Sequence, residues 1–187
     1  MRVITGTSRG RRLRTLEGND VRPTTDRVKE ALFSIVQFEL EGRRVLDLFA
    51  GSGQLGIEAL SRGADSCVFV DASKQAIEVV KQNLAATGLA RKAGVLHGDA
   101  LRYLQTSRDC FDLAFLDPPY GTGQLQQALA LLPRLMRRTG VIVCEAPKGE
   151  TLPQQVGDFT LSRSYHYGKV TLSVFREARE EEAENDG

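Results

Sequence analysis

Residues 44–56 read RVLDLFAGSGQLG, and this stretch decides the fold. An apolar run leads into glycines with the spacing G-x-G-x-x-G, and a helix-like sequence follows. Gly51 and Gly53 let the backbone turn sharply and approach a ligand, while Gly56 lets the helix pack closely on the strand. A plain strand-to-helix turn can share this pattern, so the loop alone is weak evidence for a nucleotide site. Residues elsewhere in the chain must decide which ligand it binds.

The glycine loop opens a series in which strand-like and helix-like segments alternate. Short apolar runs recur as RVLDLF, CVFVD, AGVLHGD, FDLAFLD and GVIVCEA. Continuous apolar runs are typical of strands buried on both faces, as in a parallel sheet covered by helices. The last two runs, FTLSRSY and KVTLSVF, are separated by HYG and predict an antiparallel pair. The sequence therefore predicts an α/β fold with a mostly parallel sheet and an antiparallel C-terminal hairpin at one edge.

Length and composition indicate one domain. The chain has 187 residues, of which 41% are hydrophobic, and this is enough to bury a single core. We expect this domain over residues 1–176, with a basic N-terminal extension at 1–21 and a helix at 22–40. The acidic tail at 177–187 is predicted to be disordered.

The remaining bulk features exclude several classes of protein. An apolar run long enough to span a membrane is missing, and the N-terminus lacks the apolar core of a signal peptide. These observations predict a cytoplasmic protein that has no membrane partner. The three cysteines are widely spaced and form no C-x-x-C, so we expect neither a disulfide framework nor a metal site.

The two ends of the chain carry opposite charge. Residues 1–29 hold eight Lys or Arg against three Asp or Glu, whereas residues 176–187 hold two against six. A basic end on a neutral body is typical of a contact with a phosphate backbone, although a solvated surface has the same composition. The candidate RNA-binding residues are Arg9, Arg11, Arg12 and Arg14.

Acidic residues follow the next two predicted strands. Asp71 comes about twenty residues after the glycine loop, where a carboxylate can accept both hydroxyl hydrogens of a ribose. Asp99, which Ala100 follows, can accept from an exocyclic adenine amine. Either carboxylate can instead cap the helix that comes next. Together with the loop, they indicate a cofactor that contains adenosine.

The fourth predicted strand ends in Asp117-Pro118-Pro119-Tyr120. Two prolines lose their N–H groups and fix φ, so the segment turns rigidly and presents carbonyl oxygens. Asp117 and the Pro118 carbonyl can accept the hydrogens of an amine on a flat base, and Tyr120 can stack on its ring. An ordinary proline-rich loop is the alternative. A hydride-transfer enzyme has no evident need for this segment.

The order DLFAGSG, VFVD, GDA and DPPY resembles class I S-adenosylmethionine-dependent methyltransferases that modify exocyclic amines of nucleic-acid bases. Three further segments, MRVITGTSRGRRL, RPTTDRVKEALFSI and YGKVTLSVF, narrow the resemblance to the RsmD family, bacterial 16S ribosomal RNA guanine-N2 methyltransferases. It covers residues 1–175, and RPTTDRVKE is its most specific part. It implies a Rossmann-like fold, S-adenosylmethionine as cofactor, and 16S ribosomal RNA within a 30S particle as partner. We expect the enzyme to be monomeric.

The resemblance also implies the site residues. Residues 22–27 would fold over the methionine end of the cofactor. Orientation of the guanine amine toward the methyl carbon would be the main catalytic effect. The implied catalytic residues are Asp117, Pro118, Pro119 and Tyr120. The implied cofactor-binding residues are Thr25, Arg27, Asp47, Phe49, Ala50, Gly51, Ser52, Gly53, Asp71, Asp99, Ala100 and Asp117.

Other functions stay open at this point. An amino-methyltransferase of another RNA or of DNA adenine would share DPPY, but the short chain leaves no room for a target-reading domain. A dinucleotide oxidoreductase would need only the glycine loop and Asp71. A structural RNA-binding module would need neither Asp71 nor DPPY.

Overall fold

The computed structural model describes residues 1–16 and 26–178. Its helices are α1 (Asp26–Ile35), α2 (Gln54–Ser61), α3 (Lys74–Thr87), α4 (Ala100–Thr106) and α5 (Gln124–Leu131). Its strands are β1 (Arg44–Leu48), β2 (Ser66–Asp71), β3 (Ala93–His97), β4 (Phe111–Leu116), β5 (Met136–Pro147), β6 (Gln155–Val156), β7 (Phe159–Tyr167) and β8 (Val170–Glu177). Within the described ranges, no helix has the length and apolar character needed to cross a bilayer.

These strands form one sheet in the order β3-β2-β1-β4-β5-β8-β7-β6. β1 lies between β2 and β4. The first five strands in this order (β3, β2, β1, β4 and β5) are parallel to one another. β8 pairs antiparallel with β5, and β7 pairs antiparallel with β8. The predicted fold class, a mostly parallel α/β sheet with an antiparallel C-terminal hairpin, is confirmed.

Successive residues of each parallel strand point to opposite faces of the sheet and build two apolar clusters. In β1, Val45 belongs to the cluster that includes α1, α2 and α3, whereas Leu46 and Leu48 belong to the cluster that includes α4 and α5. The apolar runs of β1 and β4 and the second half of β5 are thus largely buried on both faces. The predicted burial is wrong for the run AGVLHGD, because β3 lies at the edge of the sheet and has no buried residue. Because these strands are parallel, their carboxyl ends meet at one edge, where ligands bind in such sheets.

The predicted basic extension begins as a folded hairpin over residues 1–16. The Val3 N–H donates to the Arg11 carbonyl (2.9 Å), which holds the two arms together. Val3 and Leu13 are buried in the cluster that α1, α2 and α3 cover. The Ser8 hydroxyl donates to a carbonyl in the last turn of α3 (2.9 Å). This hairpin is therefore packed on the domain.

The N-terminal helix is shorter than the predicted range of 22–40. It ends at Ile35, and residues 22–25 lie outside the described residues. The chain turns at Val36, whose carbonyl accepts the Glu39 N–H (2.9 Å). Gly42, at φ 69, completes the reversal. The helix stops here because the chain must reverse to enter the central strand β1.

The acidic tail begins later than the predicted residue 177. Glu177 is the last residue of β8 and pairs with Phe159 of β7, while its carboxylate lies 2.8 Å from Arg138. The Ala178 N–H also donates to the Asp158 carbonyl (2.8 Å). These bonds extend the strand past the predicted boundary. Residues 179–187 lie outside the described residues, so disorder there stays a prediction.

A buried ion pair joins the hairpin, α1 and α2. Lys29 Nζ lies 3.7 Å from the Glu58 carboxylate, and both side chains are fully buried. Glu58 also accepts the N–H groups of Ile4 (2.8 Å) and Thr5 (2.9 Å), and Lys29 donates to the Arg2 carbonyl (2.6 Å). Burial lowers the pKa of Lys29, while the Glu58 carboxylate opposes that shift. Both buried charges have partners, which is the condition under which such ions are tolerated.

We expect Glu58→Ala to lower the free energy of unfolding by about 3–5 kcal/mol, because it leaves Lys29 as a buried charge and two N–H groups without their acceptor. Urea denaturation followed by circular dichroism measures this loss. The matched control is Glu78→Ala, which breaks an exposed ion pair with Lys81 (3.1 Å) and should cost no more than about 0.5 kcal/mol. Equal losses in the two variants would contradict this account.

Candidate functional site

A cleft of about 840 Å³ opens at the carboxyl ends of the parallel strands. Its walls come from the loops after β1, β2, β3 and β4, from β5 and from the N-terminal hairpin. Most of the residues that the sequence predicted meet here because parallel strands end at one edge of a sheet. The predicted residues that line the cleft are Asp47, Phe49, Ala50, Gly51, Ser52, Asp71, Asp99, Ala100, Asp117, Pro118, Pro119 and Tyr120.

The loop after β1 has a left-handed backbone at three residues. Gly51 and Gly53 have φ of 55° and 75°, and Phe49 has φ of 65°. Glycine adopts this conformation readily, whereas for an aromatic residue it costs on the order of 1–3 kcal/mol. The Gly53 N–H donates to the Ala50 carbonyl (2.7 Å) and closes the turn. The loop therefore reverses direction within a few residues, and α2 begins directly behind it.

The three glycines of this loop have different roles. A Cβ at Gly51 would meet no atom within 4 Å, so this is the open position next to the cleft. Gly53 is not part of the cleft wall. A Cβ there would lie 3.1–3.3 Å from Val80 and Phe69, so this glycine faces the packing behind the loop. A Cβ at Gly56 would lie 2.3 Å from the Phe69 ring. Gly53 and Gly56 thus serve the packing behind the loop.

Asp71, at the end of β2, holds the glycine loop in place. Its Oδ2 accepts the Gly51 N–H (2.8 Å), and its Oδ1 accepts the Ser73 N–H (2.8 Å). The helix cap of α3 is Ser73, whose hydroxyl oxygen accepts the Ala76 N–H (3.2 Å). Asp71 is therefore not the cap. Each carboxylate oxygen can accept a further hydrogen bond from a ligand, and the side chain lines the cleft.

Asp99, at the end of β3, caps α4. Its Oδ1 accepts the Arg102 N–H (2.8 Å), as the alternative interpretation of the sequence predicted. Asp99 and Ala100 both line the cleft. A capping carboxylate still presents its second oxygen, so capping and contact with a ligand are compatible.

Asp47 is 2% exposed and lies in the wall of the cleft. Its Oδ2 accepts the Gly56 N–H (2.9 Å). Burial raises the pKa of Asp47 to about 7; the Gly56 N–H opposes this shift, and the negative charge of Asp71 adds to it. Near neutral pH this carboxyl group therefore exists in both forms, of which only the protonated one can donate a hydrogen bond.

The segment after β4 forms the opposite wall. Pro118 is buried, Asp117 is half-buried and Tyr120 is 39% exposed. The Tyr120 hydroxyl donates to Glu145 Oε1 of β5 (3.1 Å), which fixes the direction of the ring. An aromatic ring and a carboxylate thus stand together at this end of the cleft.

Sequence reasoning missed several residues of the wall. Gln54, the first residue of α2, is 7% exposed, and its buried Oε1 has no hydrogen-bond partner within residues 1–16 and 26–178. Glu145 is 5% exposed. A charged residue inside the apolar run GVIVCEA was a usable signal for Glu145, since buried carboxylates are rare. Nothing local marks Gln54. The other missed residues that line the cleft are Met1, Thr15, Leu16, Leu55, Ala72 and Gln124.

Other predicted residues do not line the cleft. Arg27 is exposed on α1 and is not part of the wall, and Thr25 lies outside the described residues. The arginines predicted to bind RNA are exposed on the hairpin, whose two ends reach the cleft through Met1 and Thr15. These arginines are Arg9, Arg11, Arg12 and Arg14.

Comparison with known proteins places the chain in a family. The family model described as "Conserved hypothetical protein 95" matches residues 1–176. "Ribosomal RNA small subunit methyltransferase D" of Escherichia coli (strain K12) is 32% identical over 188 residues, covering 100% of this chain and 93% of that protein. The chain belongs to the RsmD family of methyltransferases. This membership decides against a dinucleotide oxidoreductase.

Two further similarities cover nearly the whole chain. "Putative rRNA methyltransferase YlbH" of Bacillus subtilis (strain 168) is 42% identical over 181 residues, covering 94% of this chain and 98% of that protein. A solved structure described as "Putative methyltransferase yhhF from Escherichia coli" has a TM-score of 0.83 and 33% identity, covering 96% of this chain and 99% of that one. The family resemblance read from the sequence is therefore confirmed.

We expect Gly56→Ala to lower the free energy of unfolding by about 1–3 kcal/mol, because the added methyl group would overlap the Phe69 ring and the Cys67 sulfur behind the loop. Urea denaturation measures the change. The matched control is Gly94→Ala in β3, where the nearest atom, on Val68, lies at an ordinary 3.7 Å. The control should change stability by less than about 1 kcal/mol. An unchanged Gly56→Ala protein would show that α2 does not need this close approach.

The raised pKa of Asp47 predicts a pH-dependent stability. Its pKa is about 7 in the folded protein and 3.8 as the usual value. The folded state binds more protons in this window, so the contribution of Asp47 to stability falls as the pH rises from about 4 to about 7. Asp47→Asn lacks this contribution. As the pH rises through this window, the free energy of unfolding of the variant should therefore increase relative to that of the wild type, by up to about 1.4 kcal/mol per pH unit.

Urea denaturation at pH 5, 6, 7 and 8 measures this gain. The exposed Asp65→Asn removes one negative charge at the surface and is the control. The free energy of unfolding of this control should change with pH in the same way as that of the wild type. If Asp47→Asn also shows the wild-type pH dependence, the pKa of Asp47 is not raised.

Proposed function

We propose that this protein methylates the exocyclic 2-amino group of a guanine in 16S ribosomal RNA, with S-adenosylmethionine as the methyl donor. The observation that carries the proposal is the meeting of two subsites in one cleft. The glycine loop with Asp71 suits an adenosine, and the Asp117–Tyr120 segment suits an amine on a flat base. The small-subunit rRNA methyltransferases among the relatives supply the substrate class.

The residues of the cleft fit S-adenosylmethionine. Asp71 and Asp99 offer carboxylate oxygens at the strand ends where a ribose and an adenine would lie. Gln54 Oε1 is a buried acceptor in the same cleft that finds no partner in the part of the chain the structure describes, and a ligand that donates to it would offset the cost of its burial. When bound, S-adenosylmethionine supplies an electrophilic methyl carbon on a positively charged sulfur. Thr25 and Arg27 stay candidates for the methionine end on family resemblance alone.

Asp117 and Pro118 then orient the nucleophile. The lone pair of the guanine amine is delocalised into the ring, which makes the amine a weak nucleophile. Acceptors at the Asp117 carboxylate and the Pro118 carbonyl would hold both amine hydrogens and turn the nitrogen lone pair toward the methyl carbon. Orientation of this kind is the main catalytic effect that this chain provides. The Asp117 carboxylate is also placed to stabilise the positive charge that grows on the nitrogen.

The target base must leave its stack to reach this cleft. Tyr120 supplies a ring for stacking, and its hydroxyl bond to Glu145 holds that ring in place. Because Phe would stack equally well, the hydroxyl is dispensable for stacking itself.

The hairpin is the proposed contact with RNA. Its exposed arginines point away from buried Val3 and Leu13, and its two ends enter the cleft wall. Phosphates bound there would place an unstacked base near Tyr120. Recognition would depend on the shape of an RNA loop within an assembled 30S particle in the cytoplasm. We also propose that the enzyme acts as a monomer.

The test is transfer of labelled methyl from S-adenosylmethionine to 30S particles and to naked 16S RNA, both from a strain that lacks the endogenous enzyme. We expect the label in N2-methylguanosine. Asp117→Ala should reduce the rate at least about 100-fold, since the amine loses an acceptor that orients it. Tyr120→Phe keeps the ring and is the matched control, with a rate within about 5-fold of the wild type. Label in another nucleoside, or an unchanged rate for Asp117→Ala, would overturn the proposal.

A further inference from the structure

We propose that Glu145 selects guanine over other bases by accepting the hydrogen bond of the guanine N1–H group. This inference rests on the proposed function and names a specificity-determining residue for it. It follows from the position of Glu145 beside Asp117, from its burial in the cleft wall, and from the pattern of donors on the edge of guanine.

The register of the sheet brings the two carboxylates side by side. Leu116, the last residue of β4, pairs with Cys144 of β5 in parallel register. The next residues, Asp117 and Glu145, therefore lie at the same level, and both line the cleft. β4 has ended at Leu116, whereas Glu145 still lies within β5 and pairs with Leu172 of β8, which fixes its backbone.

Glu145 is an unusual residue for this place. It is 5% exposed, and its neighbours along β5, Cys144 and Ala146, are 0% and 1% exposed. A buried carboxylate is costly, and a neutral amide would accept the Tyr120 hydroxyl bond equally well. A carboxylate differs from an amide in that all of its positions accept, and it can bind several donors at once. The site is therefore suited to a ligand that presents a pair of adjacent donors.

Guanine presents such a pair. Its exocyclic 2-amino group and its N1–H group are adjacent donors, with the O6 acceptor beyond N1, whereas adenine has an acceptor at N1. With the amine held by Asp117, the N1–H group of guanine would meet Glu145, and two neighbouring carboxylates would match two neighbouring donors. An adenine in the same pose would bring its N1 lone pair against a negative charge, which is a repulsive contact.

The sharpest probe is 2-aminopurine, which keeps the 2-amino group but has an acceptor at N1. The position methylated by the wild type is first mapped. 16S RNA carrying guanosine or 2-aminopurine riboside at that position is then made by ligation and assembled into 30S particles. A hydrogen bond to a charged group contributes about 1.5–3 kcal/mol, so the wild type should prefer guanosine by about 10- to 100-fold in kcat/KM.

Glu145→Gln is the matched variant, since its amide keeps the shape and can donate to the N1 of 2-aminopurine. We expect its preference for guanosine to fall to within about 3-fold of unity. Its affinity for S-adenosylhomocysteine should stay at the wild-type value, and its unfolding midpoint should not fall below that of the wild type, since the variant removes a buried charge. Tyr120→Phe, which removes the hydroxyl but leaves the carboxylate, should keep the preference for guanosine.

The outcomes separate this inference from the proposed function. If the wild type methylates guanosine but shows no preference over 2-aminopurine, the role of Glu145 is overturned while the proposed function stands. This comparison uses the wild type alone, so it can overturn the role of Glu145 even if Glu145→Gln fails to fold. A folded Glu145→Gln protein that keeps the wild-type preference overturns the inference as well. If the wild type transfers no methyl group to guanosine in either RNA preparation, the proposed function fails and the inference fails with it.

Discussion

The rest of the structure depends on the buried carboxylate of Glu58. It binds two backbone N–H groups of the hairpin, lies against Lys29 of α1 and contacts Arg62 (2.8 Å) beyond the end of its own helix. That helix, α2, begins directly behind the glycine loop. One side chain therefore connects the basic N-terminal hairpin to the helix that follows the glycine loop. An ion pair in this position is weak evidence for stability by itself, but it fixes how the hairpin sits on the domain.

Five carboxylates lie in the wall of the cleft. They belong to four aspartates and Glu145, and the wall also includes the Gln54 oxygen, which has no hydrogen-bond partner among the described residues. Like charges at such density raise the cost of folding. Burial is the main cause of the raised pKa of Asp47, and the negative charge of Asp71 adds to that shift. The ligands that would offset this cost carry positive charge or many N–H and O–H donors. A sulfonium cofactor and the donor edge of guanine both meet that description, which is why the two parts of the proposed reaction suit the same space.

Much of the fold and part of the site could be predicted from the sequence. Buried parallel strands leave continuous apolar runs, and ligands bind at strand ends, so the positions of Asp71 and of the DPPY segment predicted that both line one cleft. Glu145 was not predicted, because its place in the wall depends on how β5 lies beside β4 in the sheet, which a single sequence does not encode locally. The Gln54 oxygen has no partner among the described residues, and only the three-dimensional structure reveals that. For Asp99, a cap and a ligand contact require the same carboxylate, so the sequence left both open.

The pairing of β8 also has a consequence for the order in which the protein is made. The last strand lies inside the sheet, between β5 and β7, and six of its eight residues are buried. Until residues 170–177 have left the ribosome, β5 keeps an open apolar edge, and Glu145 has no partner at Leu172. The cleft therefore stays incomplete until β8 has docked between β5 and β7. Until then the open edge of β5 is a site for aggregation.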